Sequence, residues 1–68
     1  MTSTLQAEAK DLAREHERLA RELYIEATSA RRDGNFHVSD ALVEQADLHT
    51  ITEFTLVALV EALAGVWV

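Results

Sequence analysis

Three side chains have the types and spacing to do chemistry together: His16, His49 and Glu53. His49 and Glu53 stand four residues apart, so on one helix they share a face. Two imidazoles and a carboxylate are competent ligands for a divalent transition metal such as zinc, iron or nickel, and a twofold assembly would double the set. The same groups could instead form a hydrogen-bonded polar layer, because an imidazole or carboxylate buried without a partner is costly. Polar layers of this kind fix helix register, and a histidine within one is a natural pH switch. The spacing differs from the Glu-x-x-His element of di-iron carboxylate bundles. A structural layer with no cofactor is therefore the first expectation, and a metal site at His16, His49 and Glu53 the second.

Other chemistry finds little footing. The chain has no Cys, which removes thiolate ligands, disulfides and thiol nucleophiles. It contains no glycine-rich phosphate loop and no Ser–His–Asp arrangement at readable spacing. Ser29 and Ser39 read as residues near helix ends, and His37 as an exposed residue just after a turn. No catalytic residue is expected, and the chain reads as a non-enzyme.

The elements that would position these groups follow from periodicity. With no Pro, two Gly and 49% hydrophobic residues, the 68-residue chain favours long uninterrupted helices in a single domain, 1–68. Leu5, Ala9, Leu12, His16, Leu19, Leu23, Glu26 and Ala30 alternate in steps of four and three, which predicts a seam on a helix over 4–32. Ala13, Ala20 and Ala27 widen that stripe with small side chains. Ser3 and Gln6 fit a capping box at its start. Lys10, Arg14, Arg18 and Arg21, interleaved with acids, make the solvated face, with Glu17 and Arg21 in the favourable i, i+4 order.

Residues 33–35 form the break: Arg31 and Arg32 suit a helix C-terminus, Gly34 the left-handed residue beyond it, and Asn35 the start of a second helix over 36–65. Its seam is Ser39, Leu42, Ala46, His49, Glu53, Leu56, Val60, Leu63 and Trp67. Thr50 and Glu53 also fit a capping box, so a kink or break near 49–53 is the alternative to one continuous helix. The expected fold is all-α, an antiparallel two-helix hairpin. Folding at Gly34 would set Leu5 against Leu63, Leu12 against Leu56, His16 against Glu53 and Leu19 against His49.

One hairpin is not enough to bury the apolar surface. The segment from Phe54 onward is apolar around most of its circumference, with Glu61 its one charge, and the first helix covers one flank only. Phe54, Leu56, Val57, Leu59, Val60, Leu63, Val66 and Trp67 are the expected interface of a homo-oligomer. A dimer closing a four-helix bundle is favoured, with a larger helical bundle as the wider possibility. The apolar run of about 15 residues is shorter than the ~30 Å hydrocarbon core requires, which argues against a membrane partner.

The formal charge of −6 disfavours nucleic acid as a partner, although Lys10, Arg14, Arg18 and Arg21 do line up. Every Lys and Arg lies at or before Arg32, so the acidic excess belongs to the second helix. Asp40, Glu44 and Asp47 could attract a basic partner protein or imitate nucleic acid, as an acidic inhibitor would. No apolar leader is visible at the N-terminus, and a cytoplasmic location is expected. The functional expectation is a small helical oligomerisation, adaptor or assembly subunit acting through protein–protein contacts. The alternatives are a metal-binding bundle and an acidic inhibitor or nucleic-acid mimic.

Overall fold

The computed structural model describes residues 2–65 and contains two packed helices, α1 (Thr2–Arg32) and α2 (Phe36–Gly65). The expected Val66 and Trp67 contacts lie outside the described residues. The reversal between the helices is a Schellman turn. Asn35 N donates to Ala30 O at 2.8 Å and Gly34 N to Arg31 O at 3.1 Å, while Gly34 takes φ 84°. A residue with a Cβ is strained in that left-handed conformation, so glycine closes the turn. Asn35 O then accepts the first helical bond of α2, from Ser39 N at 3.0 Å. The Arg31 guanidinium lies 5.7 Å from the centre of the Phe36 ring, a cation–π contact across the turn.

α2 runs unbroken through Thr50–Glu53, so the alternative of a break there is not realised. Thr50, Thr52 and Thr55 each return their hydroxyl to the carbonyl four residues earlier, at 3.0 Å. That back-bonding houses the β-branched run inside a helix, where a cap at Thr50 would have ended it. α1 already includes Thr2 as a helical residue, and the Gln6 amide is turned across the hairpin to donate to Val60 O at 3.4 Å. Gln6 thus ties the two helices together, a role the capping-box reading did not anticipate.

Small residues make the core. Ala9, Ala13, Ala20 and Ala27 of α1 and Ser39 and Ala46 of α2 are buried, and Ala46 is fully so. The expected facing layers need correction on two counts. The face of α1 that meets α2 is centred on Ala13, Ala20 and Ala27; Leu5 and Leu12, one position before Gln6 and Ala13, are 56% and 52% exposed. Register also differs by about one helical turn. His16 meets His49, whereas sequence symmetry about Gly34 set it against Glu53. Counting from that level brings Ala20 beside Ala46 and Ala27 beside Ser39. Small side chains then face small ones and the backbones approach closely, an arrangement a leucine column would block.

The hairpin measures 52 × 13 × 11 Å with a radius of gyration of 15.5 Å. A compact globule of this length has a radius of about 11 Å. The accessible surface is 5119 Å², against about 4,300 Å² for a compact monomer of the same size.

Candidate functional site at the helix interface

His16 and His49 project from the middle of their helices, His16 being the fifteenth of 31 residues in α1 and His49 the fourteenth of 30 in α2. Both are half-buried. Their Nδ1 atoms are 2.8 Å apart, with ring centroids at 5.0 Å and planes inclined by 34°. Two bare Nδ1 lone pairs cannot approach so closely. One ring therefore carries its proton on Nδ1 and donates, and the other accepts there with its own proton on Nε2.

Glu53 is half-buried one turn beyond His49. It lines an open groove of about 350 Å³ with Lys10, Ala13, Arg14, Glu17, Val57, Val60 and Glu61. Charge of both signs rims this groove and two valines floor it. Among the described residues, no three His, Asp or Glu side chains of the single chain converge as metal ligands. The structure thus brings His16 and His49 together, while Glu53 lines the groove one turn away.

Sequence reasoning missed a second polar bridge. The Tyr24 hydroxyl of α1 donates to Asp47 Oδ1 of α2, and this hydrogen bond to a carboxylate pushes the phenol above its usual value. The only signal was position: Tyr24 lies on the α1 flank that also carries Lys10 and Glu17. On the solvated surface, Arg18 clamps Glu15 and reaches Glu22 at 2.8 Å, while Arg21 reaches Glu17 at 2.8 Å. The Arg18 hydrogen bond holds the Glu15 carboxyl below the ordinary range. These pairs are exposed and contribute little to stability.

The two faces of the hairpin differ in kind. One bears the groove, Tyr24 and Asp47. The other bears Leu5, Leu12 and Leu19 from α1, and Leu56, Leu59 and Leu63 from α2. At 100° per residue, Leu5, Leu12 and Leu19 fall in one column, and Leu42, His49, Leu56 and Leu63 in another. Leu19, Leu56 and Leu63 are half-buried, and Leu5, Leu12 and Leu59 are exposed. Comparison with protein-family models, curated proteins and solved structures gives no match.

Of the residues expected at an interface, Phe54, Val57 and Leu59 are exposed, while Leu56, Val60 and Leu63 are partly covered by α1. Leu48 and Ile51 lie exposed on the back of α2, and Phe54, in the same column as Asp47, is exposed on the groove side. By length and composition α2 is apolar enough to cross a bilayer, with a mean hydropathy of 1.3 over its best window. Glu61 lies within the apolar half of that helix.

Proposed function

We propose that this chain is a non-enzymatic assembly subunit that pairs with a second copy of itself through the leucine-bearing face of the hairpin. The observation that carries this reading is the column of Leu5, Leu12 and Leu19. It repeats every seven residues, as packed helices require, yet it lies to one side of the α2 contact, with Leu19 half-buried and Leu5 and Leu12 exposed. A helix in a four-helix bundle has two neighbours, and its apolar stripe divides between them. Ala13, Ala20 and Ala27 serve the covalent neighbour; the leucines serve the other. The hairpin exposes about 800 Å² more than a compact monomer of its size, surface that assembly would cover.

In this reading the interface joins the α1 leucines to Leu56, Leu59 and Leu63 and leaves out Phe54 and Val57, which lie on the groove side, and the back of α2 stays open for further protein contacts. That combination suits an adaptor. Sedimentation of the chain at micromolar concentration in dilute buffer tests the proposal, with a two-chain species expected. A well-folded single copy at that concentration would remove it, and recovery of the chain on floated lipid vesicles would point to a bilayer instead.

A further inference from the structure

We infer that His16 and His49 of two copies form a shared site for one divalent transition-metal ion at the centre of the assembly. This rests on the pairing proposed above. A face-to-face twofold axis lies in the interface plane, either along the helices or across them. With the axis along the helices, equivalent levels coincide. With the axis across them, only the mid-length level of each hairpin meets its own copy at full overlap. His16 and His49 stand within two residues of the middle of α1 and α2. Either arrangement therefore brings the imidazole pair of one copy level with that of the other.

Direction agrees with level. His16 projects between the alanine column aimed at α2 and the leucine column aimed at the open face, toward what becomes the axis of a four-helix bundle. The intrachain geometry is close to that of a chelate. Two nitrogens bound to a tetrahedral metal at 2.0–2.1 Å lie about 3.3 Å apart. The observed separation of the two Nδ1 atoms is 2.8 Å. Opening by about half an ångström, with the bridging proton passed through solvent to Nε2 of the same ring, leaves both rings neutral and lets both Nδ1 lone pairs meet a cation. One chain supplies two ligands, too few for a closed site; two chains supply four neutral imidazoles. Such a set suits Zn²⁺, Co²⁺ or Ni²⁺ and disfavours Mg²⁺ or Ca²⁺, which select oxygen.

The test is titration of chelator-treated full chain with Co²⁺ or Zn²⁺ alone, combined with sedimentation before and after addition. One metal per two chains is expected, with a tetrahedral Co²⁺ absorption spectrum and a raised melting temperature. The His16→Leu/His49→Leu double variant, checked by circular dichroism, should stay helical and lose this binding. A metal-free dimer that binds no metal overturns the site and leaves the assembly intact. A metal-free monomer that dimerises on metal supports the site and overturns metal-independent assembly. Binding of one metal per chain, or binding retained by the double variant, overturns the shared site.

Discussion

Tyr24 on α1 and Asp47 on α2 are joined hydroxyl to carboxylate across the exposed flank of the hairpin. The bond needs the phenol proton, and ionisation would set a phenolate against a carboxylate. The hydrogen bond to Asp47 therefore raises the Tyr24 pKa, while the Thr50 hydroxyl acts in the opposite direction. A folded-state value above that of the unfolded chain means the stabilisation is complete below about pH 10 and lost as pH rises through the folded value. Tyr24 is the only tyrosine, so tyrosinate absorbance reads it directly. The Asp47→Ala variant should titrate at lower pH than the parent; equal midpoints would show that the bridge does not form in solution.

Leu12 and Ile51 are both well exposed on the single hairpin, at 52% and 61%. An aspartate at either position costs the isolated chain little. The proposed pairing separates them, because Leu12 lies on the leucine face and Ile51 on the back of α2. Leu12→Asp should yield monomer by sedimentation, with helicity falling if folding depends on assembly. Ile51→Asp should leave the dimer unchanged. Dissociation by Ile51→Asp alone would transfer the interface to the back of α2.

Ala46 is fully buried where the helices approach. Ala46→Leu adds three carbons to a place with no room, and overpacking of this kind costs about 1–3 kcal/mol. Urea unfolding at fixed protein concentration should show that loss. A variant as stable as the parent would mean that the alanine contact is looser than the structure has it.

The two helices and their turn were legible because the signals are local. Gly34 is where a left-handed residue is needed, and apolar residues recur with the helical period on both sides. The register was not legible. Symmetry about Gly34 places His16 beside Glu53, but tertiary packing of alanine on alanine outweighs that symmetry and moves the pairing by about a turn. The leucines misled for a related reason. Their column belongs to the stripe by period, and period alone does not say which part of a stripe the second helix covers. Of the polar set, the meeting of His16 with the second helix followed from the seam. Its partner depended on register, and so was missed.

The pair of His16 and His49 makes a last, independent prediction for the metal-free chain. Replacing either imidazole by leucine strips the other of its Nδ1 partner in a half-buried place, at a cost of about 1 kcal/mol. Replacing both removes the polar requirement and extends the leucine layers on either side, so the double variant should be less destabilised than the two single changes summed. A coupling of about 1 kcal/mol is expected from the four unfolding curves of the cycle, run with chelator at pH 7.5. Nitrogen-15 NMR of the parent should show unlike rings, one protonated at Nδ1 and the other at Nε2. A coupling of zero together with two Nε2-protonated rings would mean that the 2.8 Å contact does not persist in solution. The central layer would then be two independent histidines, and the preformed chelate it offers to a metal would go with it.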